Sequence, residues 1–185
     1  DLKIAAFREF PVYVHRDNGG YDGLYYAQIA HDPTLRDPAL PRAMDNFAYR
    51  ARRILPPALA WVLGAGQPAW IIHTYPLLNV LAWFALAVLL WQLLAVSDAR
   101  GLLAWTGVLF SAGALASVRL ALTDLIALTV LAAALLAAER ARPRSATALL
   151  AAAALARETS LLAFAGLAAR PFFSLRTGLH ALLVA

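Results

Sequence analysis

From Ala69 to Val96 the chain carries no Asp, Glu, Lys or Arg. His73, Asn79 and Gln92 are the main polar interruptions, and Trp70 and Trp91 stand near the two ends. A helix needs about 20 mostly apolar residues to cross the hydrocarbon core of a bilayer. Tryptophan concentrates where that core meets the headgroups. The run therefore predicts a membrane-spanning helix, with Pro76 as the expected kink in its first part. The remaining composition points the same way. Hydrophobic residues make up 62% of the 185 residues, against roughly 45–50% in soluble domains. A soluble domain of this length has too little interior to hide that much apolar surface.

The fold class expected is all-α: a polytopic transmembrane helical bundle preceded by an extracytoplasmic loop with short helices. Residues 1–53 form the loop. They hold Asn18-Gly19-Gly20, Asp32-Pro33, Asp37-Pro38 and Leu40-Pro41, which are turn signals. Short helices are expected from Tyr21 to His31 and from Asp45 to Arg53. Residues 54–66 open with Pro56-Pro57 and are too short to span, so they predict an interfacial helix with Trp61 at headgroup level. Membrane segments follow at about 69–96, 102–118, 120–138 and 146–169, and another begins at 178–185. The segment 146–169 contains Arg157-Glu158-Thr159-Ser160 and is either one broken span or two half-length helices. A chain that opens on Asp1 and stops within Ala181–Ala185 is expected to be a fragment of a longer protein.

The net charge of +5 comes almost wholly from arginine, with Lys3 the one lysine. Most downstream arginines lie in short loops between apolar runs. That pattern marks cytoplasmic turns and argues against nucleic acid as a partner. Arg140, Arg142 and Arg144 then define an inner turn, as does Asp98–Arg100, and residues 1–53 lie outside. Arg119, Asp124, Arg157 and Glu158 fall toward the same outer side. The expected location is a bacterial cytoplasmic membrane. Cysteine is absent, which removes disulfides, thiolate zinc sites and cysteine nucleophiles.

Three groupings carry candidate chemistry. Tyr21-Asp22-Gly23-Leu24-Tyr25-Tyr26 sets a carboxylate among aromatic rings. Asp22 is either a helix N-cap or a general base toward an acceptor hydroxyl, and the two roles are compatible. Tyr21, Tyr25 and Tyr26 suit a sugar pocket, with apolar faces and polar tips. Tyr49-Arg50-Ala51-Arg52-Arg53 sets three arginines before an apolar helix. They are either a basic collar at the headgroups or ligands for phosphate oxygens. Arg119 with Asp124, and Arg157 with Glu158, are either ion pairs between helix ends or a polar floor beneath a site. His15, His31, His73 and His180 lack metal-ligand spacing, so no metal site is expected. His73 reads as a hydrogen-bonded core or interface residue, and Asp32 and Asp37 as turn residues.

Residues 21–30, then Asp45-Asn46-Phe47-Ala48-Tyr49-Arg50, then Arg53-Ile54-Leu55-Pro56 before an apolar helix resemble bacterial polytopic glycosyltransferases of the GT-C type. The likeness is to the subgroup tied to cell-surface glycopolymers, and to the Trp-Asp-x-x-Tyr loop of GPI mannosyltransferase relatives. Thr123-Asp124-Leu125 and Ala156-Arg157-Glu158-Thr159 are similar to later helix-end motifs of that superfamily. Here Tyr21 stands where the mannosyltransferase loop has Trp. The resemblance implies a membrane enzyme that transfers a sugar from a polyprenyl-phosphate donor to a hydroxyl of a glycan or lipid acceptor, with inversion and no cofactor. It implies Asp22 as the base and Asp45 as a second acidic candidate. Arg50 and Arg53 would hold the donor phosphate, with Tyr49, Arg119, Asp124, Arg157 and Glu158 around the substrate. A transporter or flippase for lipid-linked sugars would share these features but favour paired broken helices at mid-bilayer. A non-catalytic membrane assembly subunit is the third alternative.

Overall fold

The computed structural model describes residues 22–163, and every regular element among them is helical. Helix α1 is Asp22–His31, and a 3-10 turn follows at Leu40–Arg42. Helix α2 is Phe47–Ala51, α3 Leu55–Leu63 and α4 Pro68–Leu93. Helices α5 and α6 are Ala99–Leu109 and Ala112–Leu120. Helix α7 is Thr123–Glu139 and α8 Pro143–Ala156, and a second 3-10 turn covers Glu158–Leu161.

Local chemistry sets these boundaries. The loop after α1 is tied by Asp32, whose carboxylate accepts from the backbone N–H groups of Thr34, Arg36 and Asp37 at 3.1, 2.7 and 2.7 Å. This is the turn role expected of Asp32. Asn46 caps α2 by accepting from Tyr49 N–H at 3.1 Å. Prolines occupy the first turns of α3, α4 and α8, where their missing N–H costs nothing. Asp98 caps α5 and Ser111 caps α6.

Two stretches are long and apolar enough to cross a membrane: Pro68–Leu93 and Ala99–Leu120. In each, only 17% of the most apolar window is buried. A core helix of a soluble protein would be mostly covered; here Trp70, Leu77, Leu81, Phe84, Val88 and Leu103 lie open. At 26 residues, α4 is about 39 Å long, more than the roughly 30 Å of a hydrocarbon core.

The other expected segments differ in their limits. The stretch expected at 102–118 is divided at Phe110-Ser111 into α5 and α6. The one expected from 120 starts at Thr123, because Ala121 takes a left-handed conformation with φ 51° and ends α6. Helix α8 stops at Ala156, where Arg157 is extended, so 146–156 is a half-length helix rather than part of a straight span. Residues 164–169 and 178–185 lie outside the described residues.

The helices pack through small side chains. Helix α7 lies against α8 with Ala134, Ala138, Ala146 and Leu150 buried between them, the close approach that alanine permits. Thr129 Oγ1 of α7 donates to Ala82 O of α4 at 3.1 Å. At the far end of α4, Trp105 and Trp83 donate their indole N–H groups to Ala87 O and Leu109 O at 2.8 and 2.9 Å. Helix α1 rests on α3 and α4, with Tyr26, Ile29, Leu40, Ile71 and Tyr75 in one apolar core.

Candidate functional site: an ionic cluster on the N-terminal helices

The site begins with a close approach. A Cβ on Gly23 would stand 2.3 Å from the backbone oxygen of Leu120, so only glycine allows α1 to dock against the end of α6. That docking fixes Asp22, the first residue of α1, beside Arg50 of α2. Arg50 Nη1 lies 2.7 Å from Asp22 Oδ2, a charge contact not aligned as a hydrogen bond. Arg50 also donates Nε–H and Nη2–H to the two oxygens of Asp45, at 3.1 and 2.9 Å, a bidentate fork. Its guanidinium sits 4.7, 5.6 and 5.7 Å from the ring centres of Tyr25, Tyr26 and Tyr49, within cation–π range.

Arg53 faces the other way. It donates Nε–H and Nη2–H to Glu158 Oε2 and Oε1, both at 2.9 Å, and Nη2–H to the hydroxyl of Tyr49. Its guanidinium lies 4.5 Å from the Tyr49 ring centre. Arg157 pairs with Asp124. Asp22, Asp45, Arg50, Arg53, Glu158 and the three tyrosines thus form one connected cluster, with the Arg157–Asp124 pair in the next residue along. The short loops at Asp98–Arg100 and Arg140–Arg144 are elsewhere; there Arg140 donates to Gln92.

Burial divides the cluster by sign. The side chains of Arg50 and Arg53 are 7% and 5% exposed, while those of Asp22, Asp45 and Glu158 are 44%, 53% and 35% exposed. The guanidiniums form the floor and the carboxylates the rim. Burial works against the charge of Arg50, but Asp45, Asp22 and Tyr26 outweigh it and raise its pKa. The hydrogen bonds from Arg50 hold Asp45 below the ordinary carboxylate range, against partial burial. Burial pushes the Tyr26 phenol up, although both arginines oppose that shift.

The pairing differs from the sequence grouping in one respect. Arg119 with Asp124, and Arg157 with Glu158, are not the pairs formed. Arg157 takes Asp124, and Glu158 takes Arg53. Arg119 is exposed and joins neither pair. Arg52 is exposed while its neighbours Arg50 and Arg53 are buried. His73 is exposed, so it is not the core residue expected as one alternative. Tyr21 lies outside the described residues. Among the described residues no three His, Asp or Glu side chains gather as metal ligands would.

Tyr75 of the apolar run packs into one core with Tyr25 and Tyr26, and Asn79 lies one turn further along α4. Tyr75 and Asn79 are 1% and 0% exposed. The Tyr75 hydroxyl and both polar atoms of the Asn79 amide are buried without an aligned hydrogen-bond partner among the described residues, whereas the Tyr26 hydroxyl stands close to the cluster arginines. Each such atom costs about 1–3 kcal/mol. The sequence signal was an Asn and a Tyr four positions apart in a mostly apolar helix, which puts both on one face.

Comparison with protein-family models, with curated proteins and with solved structures finds no match.

Proposed function

We propose that the chain belongs to a multi-pass glycosyltransferase of the bacterial cytoplasmic membrane, with the ionic cluster at its outer face. The donor is a sugar on a polyprenyl phosphate and the acceptor is a hydroxyl of a growing cell-surface glycan or lipid. The observation that carries this reading is the meeting of Asp22, Asp45, Arg50 and Arg53 with three tyrosines beside the first long apolar helix.

The chemistry follows from that arrangement. A phosphate entering over the cluster competes with the carboxylates for Arg50 and Arg53, whose forks match its oxygens. Drawing Arg50 toward phosphate releases Asp22. The freed carboxylate accepts the proton of the acceptor hydroxyl while that oxygen bonds to the anomeric carbon. The bond from the anomeric carbon to the phosphate oxygen breaks, and its electron pair stays on the phosphate. The two guanidiniums stabilise the charge that develops there. Attack opposite the leaving phosphate inverts the anomeric centre, and the proton on Asp22 passes to water.

Asp22→Asn tests this directly. The amide preserves size, and Asp45 still holds Arg50. Transfer from polyprenyl-phospho-sugars to acceptor should fall at least about 10²-fold, with thermal stability close to that of the parent. Near-normal transfer would sink Asp22 as base. A second reading rests on the fact that each cluster arginine already has a carboxylate partner: the cluster then acts as a staple between α1, α2 and the end of α8. Unchanged binding of polyprenyl phosphate in an Arg50→Gln variant that still folds would favour the staple.

A further inference from the structure

Among the described residues, three unpartnered polar atoms belong to Tyr75 and Asn79 of α4, the helix on which α1 rests. Tyr75 and Asn79 share the buried stripe of α4 with Ile71 and Leu86, and Tyr26 belongs to the buried face of α1, which rests on α4. Tyr75 packs in one core with Tyr25 and Tyr26, whose ring centres lie 4.7 and 5.6 Å from the Arg50 guanidinium, so Tyr75 adjoins the ionic cluster and Asn79 follows one turn along α4. Folded proteins pair nearly all buried polar atoms, and a group of exceptions in one place calls for a partner.

We propose that Tyr75 and Asn79, with Tyr26 beside them, are the sugar-reading part of the donor site, and that the missing partners of Tyr75 and Asn79 are the hydroxyls of the transferred ring. The inference rests on the glycosyltransferase reading and adds to it the residues that select the sugar. Each phenol hydroxyl donates one hydrogen bond and accepts others, and the amide offers two donors and an acceptor. Neighbouring hydroxyls on a pyranose or furanose present the same mixture. The rings of Tyr26 and Tyr75 supply apolar faces for the C–H side of the sugar. A phosphate on Arg50 and Arg53 would bring its attached sugar to this place, because the Tyr26 ring lies 5.6 Å from the Arg50 guanidinium. The polar atoms are closed from solvent, so the sugar enters by parting α1 from α4.

A binding site of this kind opposes stability and function in a measurable way. Asn79→Leu and Tyr75→Phe each remove orphaned polar atoms, so the unliganded variants should melt at or above the parent temperature. Their affinity for the sugar should fall. The experiment compares the full chain and both variants in nanodiscs, titrated with polyprenyl phosphate and with the same lipid carrying mannose, glucose, galactose or arabinose. The parent should bind at least one sugar-bearing lipid about tenfold more tightly than the bare phosphate. In both variants that preference should shrink toward unity, while affinity for the bare phosphate stays unchanged. A preference that survives in both variants overturns the inference. So does a parent that binds bare and sugar-bearing lipids equally, although the phosphate half of the glycosyltransferase reading then stands. A parent that binds none of these lipids overturns both.

Discussion

The N-terminal helices α1–α3 and the far end of α4 with α5 solve the same problem by different means. Both must hold short or exposed elements against a long apolar helix. The first region does so with buried arginines, each neutralised by carboxylates from other elements, and with one glycine at a point of contact. The second uses indole N–H groups bonded to backbone oxygens, edge-on aromatic pairs such as Trp91–Trp105 at 5.5 Å, and leaves most of its surface apolar and open. The difference shows where polar groups are stored. A bonded indole leaves no charge uncompensated. A buried guanidinium holds strong attraction for an anion, satisfied for the moment by carboxylates that sit half in solvent. Only the first region is poised to exchange its partners.

The largest effect that separates the two regions is expected at Arg53. Arg53→Met strips Glu158 and Tyr49 of their shared donor. Breaking a fully buried pair costs about 3–5 kcal/mol; Glu158 is about a third exposed, so about 2 kcal/mol is expected. Denaturant unfolding in detergent measures it, and Glu158→Gln added to Arg53→Met should recover part of the loss. A cost below about 0.5 kcal/mol would class this pair with ordinary surface bridges.

The two regions also contain glycines of opposite meaning. Gly23→Ala forces a Cβ onto Leu120 O and should cost about 1–3 kcal/mol. Gly107, within α5, has nothing within 4 Å of a built Cβ. Gly107→Ala should therefore stabilise by about 0.5–1 kcal/mol through helix propensity. Equal responses at the two positions would show that α1 does not depend on the close approach.

How much of this was legible in the sequence depends on what each signal requires. The long apolar helix needed only composition, and it stands out in residues 69–96. Asp22, Asp45, Arg50 and Arg53 were legible because turn residues and an apolar helix bracket them. Glu158 as the partner of Arg53 was not, since 105 positions separate the two. Nor was the exchange of partners at Arg157-Glu158. Arg157 is extended, with φ −158° and ψ 122°, and neighbouring side chains on extended backbone point to opposite sides. One therefore reaches Asp124 and the other Arg53. The end of α6 was hidden for a related reason: Ala121 adopts a left-handed conformation that sequence would assign to glycine or asparagine. Tyr75 and Asn79 were visible as letters, but a missing partner is a property of the packed neighbours.

A smaller effect is expected in the second region. Trp105→Phe keeps the ring and removes the donor to Ala87 O, so about 1 kcal/mol should be lost. Trp83→Phe should behave alike through Leu109 O. Neither variant should alter binding of polyprenyl phosphate, and a change in that binding would link regions that are separate in the present account.

The smallest effect tests the rim. Hydrogen bonds from Arg50 hold the pKa of Asp45 below its ordinary value. A carboxylate with a lowered folded pKa adds stability that is fully present above the unfolded value of about 4. That stability is lost as pH falls through the lower folded value. The melting temperature of the parent should thus fall on acidification below about pH 4 more steeply than that of Asp45→Asn, which has no proton to take up at this position. The difference should be slight, because Asp45 is half exposed and water screens it. Parallel acid limbs would mean that Asp45 adds nothing to holding Arg50. The guanidinium would then depend on Asp22 and the tyrosine rings, and release of the proposed base would cost correspondingly more.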